Sequence, residues 1–167
     1  MTRFDVEFGP ITIDNIEHLR RINGASFPIV YNQAYYKDLL DQDDASQLNQ
    51  FAYYKGQIVG AICAVLQDIA AAGEQHVYIR TLAVLAAYRG RGIGSQLMER
   101  LLHYCEQRSS VTELSLHVQI SNDDAIDFYT EKFQFTKGEL VQNYYRRVDP
   151  PHCYRLYRII RKGNSNA

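Results

Sequence analysis

The sequence predicts an α/β fold, in which about four helices cover a central twisted mixed sheet of about seven strands. Segments with strand and helix periodicity follow one another in the order β-α-α-β-β-β-α-β-α-β-β, and strand-helix-strand units fill the second half. The 167 residues are 46% hydrophobic, which is enough chain for one buried core. We therefore expect a single domain over residues 1–162 and a disordered tail over residues 163–167.

In the first half, two helices are expected between a short strand and a β-hairpin. "DNIEHLRRI" is typical of a helix whose capping box is formed by Asp14 and Glu17, and Pro28 forces Phe27 out of helical geometry. A second short helix over "QAYYKDLLD" runs into the polar stretch "QDDASQ". The hairpin is indicated by apolar runs on either side of a Lys55-Gly56 turn.

The second half begins with a strong strand, "HVYIRTLAVL", followed by a glycine-rich turn and a helix. This helix carries its apolar residues on one stripe: Ile93, Leu97, Leu101 and Cys105, widened by Met98 and Leu102. "TELSLHVQI" alternates as a strand, with an apolar row of Leu114, Leu116 and Val118 opposite Glu113, Ser115 and His117. A helix over "SNDDAIDFYTEKF", capped by Ser121 or Asn122, precedes a last strand pair, "QFTKGEL" and "CYRLYRII".

Composition excludes several classes of protein. A net charge of −1 gives no overall basic field for nucleic acid, and we read the basic C-terminal segment as a solvated edge strand. Cys63, Cys105 and Cys153 have no metal-ligand spacing, so we expect core residues and no metal site. The N-terminus lacks an apolar signal run, and no stretch reaches the length of a membrane span. We expect a cytoplasmic protein that also enters the nucleus and binds no membrane.

The segment "YRGRGIGSQLMERLL" places glycines and two arginines directly before a helix, where unpaired N–H groups favour a phosphate. A P-loop is excluded because no Gly-Lys-Ser/Thr occurs, and the dinucleotide fingerprint fails because Ser95 replaces its third glycine. The segment instead matches R-x-x-G-x-G from Arg89 to Gly94. The alternative is a plain strand-to-helix connection.

This motif resembles the acetyl-CoA pyrophosphate loop of the GCN5-related N-acetyltransferases, the GNAT superfamily, and implies their fold. "FPIVYN", "YIRTL", "LHVQISNDDAIDFY" and "NYYRRVDP" further resemble the catalytic subunits of N-terminal acetyltransferase E, also called San. The resemblance implies acetyl transfer from acetyl-CoA to the α-amino group of proteins that retain the initiator Met before an apolar residue. It also implies association with the N-terminal acetyltransferase A complex and the ribosome. The loop residues implied to bind acetyl-CoA are Arg89, Gly90, Arg91, Gly92, Ile93, Gly94 and Ser95.

An α-amino group has a pKa of about 7.7–8.0, so a modest base can deprotonate it. His117 can serve directly or through water, and Tyr78 on the preceding strand can relay the proton. The resemblance gives this pair the general-base role; otherwise the two are a core or surface histidine and a core aromatic. The resemblance also places Tyr129 near the sulfur of CoA and Asn122 at the pantetheine. Helix packing and helix capping are the alternatives for these two residues.

The reaction also needs donors for an oxyanion and a pocket for the peptide. In the family's fold, two parallel strands splay around the acetyl group, and a bulge at Leu82, Ala83 and Val84 would expose backbone amides. The resemblance implies a peptide pocket formed by Phe27, Pro28, Ile29, Tyr31, Tyr144, Tyr145 and Val148. Arg80 stands where the family more often has Met, so we expect it to influence the second peptide position. The rival functions are a lysine or small-amine acetyltransferase on the same fold and a non-catalytic acetyl-CoA-binding subunit.

Overall fold

The computed structural model describes residues 2–69 and 73–161. The predicted tail lies outside the described residues, and the domain boundary at residue 162 stays a prediction. The described residues contain seven strands: β1 (Glu7–Pro10), β2 (Asn49–Tyr54), β3 (Gln57–Asp68), β4 (Gln75–Val84), β5 (Val111–Gln119), β6 (Thr136–Val141) and β7 (Cys153–Ile159). They are hydrogen-bonded in the order β1-β2-β3-β4-β5-β7-β6, in which β4 and β5 are parallel. The mixed sheet and the α/β class are confirmed.

In the part of the chain that the structure describes, five α-helices accompany the sheet, one more than expected. They are α1 (Ile16–Ser26), α2 (Gln33–Leu40), α3 (Ala45–Leu48), α4 (Ile93–Gln107) and α5 (Asp123–Asp127). A 3₁₀ turn, Ala86–Tyr88, precedes α4, and a π-helical turn, Phe128–Lys132, directly continues α5.

The described residues form two compact units. The first unit comprises residues 2–66 and 79–108, and the second comprises residues 67–69, 73–78 and 109–161. Strand β4 therefore contributes its first four residues to the second unit and the remaining six to the first.

In the first unit, the predicted hairpin is confirmed at its predicted turn. Lys55 and Gly56 both have positive φ, 49° and 78°, which suits the primed turn that joins two antiparallel strands. The predicted capping box is wrong. Helix α1 begins after Asn15, whose side chain accepts a hydrogen bond from Thr12 N–H and donates one to Pro10 O, so it fixes the preceding turn instead. The helix ends at Phe27, which is extended as Pro28 requires.

Helix α3 was not expected in the polar stretch before β2. Asp44, which precedes it, has a left-handed backbone, and its carboxylate accepts hydrogen bonds from Tyr104 Oη at 2.8 Å and from Arg108 Nη1. Both partners belong to the segment around α4, more than fifty residues away. A tertiary contact thus holds a turn that local propensity does not encode.

The cores of the two units follow the predicted stripes. On α4, the residues Ile93, Leu97, Leu101 and Cys105 are all buried. In the second unit, β5 lies between β4 and β7. The apolar row of β5 is buried, and so are Glu113 and Ser115 of its polar row. The predicted polar row of β5 therefore does not face bulk solvent: Ser115 and His117 line a polar cavity described below, and Glu113 is buried.

The three cysteines are buried, as predicted for core residues. Within residues 2–69 and 73–161, no helix has the length and apolar character needed to cross a membrane. The same residues contain no group of three or more His, Cys, Asp or Glu side chains arranged to hold a metal ion.

Candidate active site

Tyr78 and His117, predicted as a pair, meet in the second unit. Parallel pairing between β4 and β5 places Tyr78 opposite Ser115, two residues before His117. The Tyr78 hydroxyl lies 2.7 Å from His117 Nδ1, which is a short hydrogen bond. No water is needed to connect the two groups.

The surroundings set the protonation states of this pair. Burial lowers the pKa of His117, and the positive charge of Arg155 lowers it further, while Glu139 opposes the shift. Burial raises the pKa of the Tyr78 hydroxyl, and the Tyr144 hydroxyl, 3.2 Å away, adds to that shift. At neutral pH the imidazole is therefore an uncharged proton acceptor, and the phenol keeps its proton.

A polar cavity of about 330 Å³ opens beside the pair, and its lining extends beyond the predicted residues. It is lined by Gln67, His76, Tyr78, Ser115, His117, Tyr144 and Arg155. Tyr144, predicted as a wall of the peptide pocket, covers His117: the two rings are stacked with centroids 4.6 Å apart. His76 and Arg155 were missed because strand register, rather than any local motif, brings them to this cavity.

In the first unit, the glycine-rich turn has the backbone that an anion site requires. Gly90 and Gly92 have φ of 73° and 78°, and Gly92 is the N-cap of α4. A Cβ on Gly92 would lie 3.4 Å from Arg3 Cγ, so the backbone there is both left-handed and closely approached. The first amides of α4 belong to Ile93, Gly94 and Ser95, the predicted pyrophosphate donors.

The two arginines of the turn are held by neighbours in the same unit. Arg89 Nε donates to Val84 O at 2.9 Å, and the guanidinium of Arg91 lies over the ring of Phe4. Gln96 fixes the N-terminal segment against this turn: it accepts from Val6 N–H and donates to Phe4 O and Gly92 O. Because Arg89 uses only one of its five N–H groups on Val84, the others can serve an anion.

Leu82, Ala83 and Val84, the residues predicted to bind the oxyanion, are the last three residues of β4. Ala83 is buried, and its carbonyl oxygen lies 2.9 Å from the position that a Cβ on Gly60 would occupy, so β3 passes close to it. Just after the segment, Leu85 N–H donates to Val59 O. The bulge at Leu82, Ala83 and Val84 stays a prediction.

Two further predicted residues lie on the helical segment after β5. Asn122 caps α5 by accepting a hydrogen bond from Ala125 N–H, so the capping alternative is confirmed. Tyr129 lies in the π-helical turn and is buried with its ring edge-on to Phe128 and Phe135, which confirms its packing role. Burial raises the pKa of Tyr129, so its hydroxyl stays protonated and can donate.

Some residues predicted for the peptide pocket lie in the first unit and others in the second. In the first, the Tyr31 ring stacks on Tyr35 with centroids 4.2 Å apart, and the Arg80 guanidinium lies 5.1 Å from the centre of the same Tyr35 ring. Phe27 and Ile29 are half-buried and Pro28 is exposed on the same loop. Tyr35, which sequence reasoning missed, thus joins two predicted residues.

In the second unit, the Tyr144 and Tyr145 rings meet edge to face at 4.9 Å. Their loop is fixed by a hydrogen bond from Tyr145 N–H to Pro151 O and by another from Gln119 Nε2 to Pro150 O. Val148, on the same loop, is half-buried. The loop thus presents its aromatic pair beside His117.

Comparisons with known proteins agree with this geometry. The model of a family described as "Acetyltransferase (GNAT) family" matches residues 16–135. N-alpha-acetyltransferase 50 of Danio rerio is 38% identical over 156 residues, which cover 93% of this chain and 89% of that protein. "Probable N-acetyltransferase san" of Drosophila melanogaster is 35% identical over 167 residues, covering 100% of this chain and 88% of that one.

Among solved structures, Arabidopsis thaliana Naa50 in complex with the bisubstrate analogue CoA-Ac-MVNAL superposes with a TM-score of 0.84. It is 39% identical, and the match covers 92% of this chain and 97% of that one. The peptide portion of that analogue begins with Met, joined through an acetyl group to CoA.

Proposed function

The chain belongs to the acetyltransferase (GNAT) family, and we propose that it is a protein N-alpha-acetyltransferase that uses acetyl-CoA. Its substrates are N-terminal peptides that retain the initiator Met followed by an apolar residue. The family relationship over the whole chain supports this activity, and the analogue bound by the Arabidopsis relative supports the substrate class.

The observation that carries the proposal is the 2.7 Å hydrogen bond between Tyr78 Oη and His117 Nδ1. An α-ammonium group must lose a proton before its nitrogen can attack an acyl carbon, and its pKa of about 7.7–8.0 lies roughly two units below that of lysine. Because the pKa of His117 is lowered, the imidazole is neutral and can accept that proton. The Tyr78 phenol, whose pKa is raised, passes one proton to His117 as it takes another from the amine.

The turn before α4 fits the pyrophosphate of acetyl-CoA. The left-handed glycines allow close approach to the backbone, the helix N-terminus favours negative charge, and Arg89 and Arg91 add positive charge. When bound, acetyl-CoA supplies the acetyl thioester. Tyr129, kept protonated by burial, serves as the proton donor for the departing thiolate.

The direct test is a peptide assay with mass spectrometry. One peptide begins Met-Leu with a free α-amino group, and the other is α-blocked with a free internal lysine. We expect acetylation of the Met α-amine only. Modification mainly of the lysine would instead support a lysine acetyltransferase, and acetyl-CoA binding without acetylation of either peptide would support a non-catalytic subunit.

A variant pair assigns the activity to this site. His117→Ala should lower kcat by about 100-fold or more, the usual contribution of a general base. His18→Ala, which removes an exposed imidazole from α1, should leave kcat unchanged. Equal kcat values for the two variants would contradict the role of His117.

We extend the proposal to partners and location on the basis of the family resemblance. The chain docks on the N-terminal acetyltransferase A complex at the ribosome, and it acts in the cytoplasm and nucleus. Co-sedimentation of the tagged chain with ribosomes, with and without that complex, tests the docking. Fractionation of cells into cytoplasm and nucleus tests the location.

A further inference from the structure

We propose that Arg155 and Glu113 are positioning residues for the reaction: Arg155, held in place by Glu113, keeps His117 in the neutral form that accepts a proton. The inference deepens the proposed function and rests on it. Neither residue lies in the segments that resemble the family, and the contacts among β4, β5 and β7 carry the argument.

The backbone of Arg155 lies beside His117, and its guanidinium lies beside Glu113. Antiparallel pairing places Arg155 on β7 opposite His117 on β5, while Glu113 lies opposite Ile159, four residues farther along β7. The Arg155 side chain runs along the sheet between these two rows, with its guanidinium over the Tyr157 ring and its Nη2 donating to Glu113 Oε2 at 2.7 Å. The carboxylate therefore fixes how far the positive charge lies from the imidazole.

The holding group is itself well fixed. Only 11% of the Glu113 side chain is exposed, and the oxygen that accepts from Arg155 also lies 3.1 Å from His76 Nδ1. A buried carboxylate is stable when it is paired and hydrogen-bonded, and here two strands, β4 and β7, supply its partners. The arrangement explains why a buried glutamate and a partly buried arginine lie beside a neutral histidine.

The charges around His117 come from every neighbouring element. The titratable and charged side chains that face it are His76 and Tyr78 on β4, Glu113 on β5, Glu139 on β6, Tyr144 on the loop between β6 and β7, and Arg155 on β7. Of these groups, only arginine is permanently positive, since histidine titrates near neutrality. Arg155 is therefore the group in this set that opposes protonation of His117 throughout the working pH range.

The pH profile of kcat/KM on the Met-Leu peptide separates charge from mere packing. Arg155→Gln should move the acidic limb to higher pH by about 0.5–1 unit, because the imidazole protonates more easily without the neighbouring charge. Arg155→Lys keeps the charge and should leave the limb near its original position. Glu113→Gln keeps an acceptor oxygen for Arg155 but removes the compensating negative charge, so the limb should move to lower pH. Lys137→Gln, with the same change in net charge at an exposed position on β6, is the matched control.

An NMR titration of the His117 ring in the folded protein without peptide gives the same test independently of turnover. Arg155→Gln should raise the titration midpoint of His117 and Glu113→Gln should lower it. Midpoints unchanged from the unaltered protein, or shifts of equal sign in the two variants, would overturn the proposal. If neither peptide is acetylated, the proposed function fails, yet the titration still decides the role of Arg155. If Arg155→Gln does not fold, Arg155→Lys and Glu113→Gln give the decision.

Discussion

The ring of Tyr144 stacks on the imidazole of His117, with centroids 4.6 Å apart and 19° between the planes. Tyr144 lies between β6 and β7 and is 42% exposed, so one of its faces meets solvent while the other covers the histidine. The same hydroxyl lies 3.2 Å from that of Tyr78. A residue expected only in the peptide pocket therefore also shields the proposed general base, His117, from water.

Removal of the Tyr144 ring should change the pH dependence of the reaction. Burial lowers the pKa of His117, so water admitted by Tyr144→Ala should raise it toward its ordinary value. As the pH is lowered, the imidazole then becomes protonated at a higher pH than in the wild type, so kcat/KM should fall most below pH 7. Tyr144→Phe keeps the stack and should keep the wild-type acidic limb. An acidic limb unchanged in Tyr144→Ala would contradict this explanation.

Tyr78→Phe distinguishes a proton relay from a core aromatic. The substitution removes only the hydroxyl that bonds to His117 Nδ1, and Phe fills the same space. We expect kcat to fall by about 100-fold while the KM for acetyl-CoA stays unchanged. Tyr53→Phe on β2 controls for loss of a hydroxyl elsewhere. A fully active Tyr78→Phe variant would show that the tyrosine serves packing alone.

Gly92→Ala tests the anion site at the start of α4. The backbone φ of 78° costs an L-residue about 1–2 kcal/mol, while the new Cβ would lie at an ordinary contact distance, 3.4 Å, from Arg3 Cγ. We expect weaker binding of CoA by isothermal titration calorimetry and a lower melting temperature. Gly24→Ala in α1 is the control, since a Cβ there meets nothing within 4 Å. It should stabilise the helix by about 0.5–1 kcal/mol without changing CoA affinity.

The sequence predicts best where local chemistry decides the structure. The Lys55-Gly56 turn and the stripe on α4 were found because turn residues and helical periodicity act over a few positions. Helix α3 was missed because it depends on Asp44 meeting Tyr104 and Arg108, which lie far along the chain. Local propensity contains no trace of such contacts.

In the candidate site, too, the sequence predicted the residues that local segments identify but not the contacts that depend on strand register. Tyr78 and His117 were predictable because each lies in a segment that resembles the family's own. The contact of Glu113 with Arg155 depends on the register between β5 and β7, and the contact with His76 depends on the register between β4 and β5. A one-residue slip in either register would turn the side chains to the other face, so these contacts cannot be derived from one strand at a time.

Asn49 should be one of the most sensitive polar positions of the first unit. Its side chain is fully buried, and Nδ2 donates to Leu39 O at the end of α2 and to Ala45 O in α3. Asn49→Ala removes both hydrogen bonds, so we expect a loss of about 2–3 kcal/mol in the free energy of unfolding, measured with urea. Asn32→Ala, which removes an exposed helix cap, should cost only about 1 kcal/mol. An equal or larger loss in Asn32→Ala would contradict the ranking.

Arg80 should shift substrate preference toward acidic residues after the initiator Met. Its guanidinium lies over the Tyr35 ring, which stacks on the proposed peptide-binding Tyr31, and no carboxylate among the described residues forms a salt bridge with it. A partly exposed ion pair is worth about 0.2–1 kcal/mol, so Arg80→Met should lower kcat/KM for a Met-Glu peptide relative to Met-Leu by about 1.4–5-fold. Arg80→Lys keeps the charge and should preserve much of the ratio, although lysine lacks the planar group that lies on Tyr35. A Met-Glu to Met-Leu ratio that is the same in wild type and Arg80→Met would show that Arg80 acts only on the packing of Tyr35.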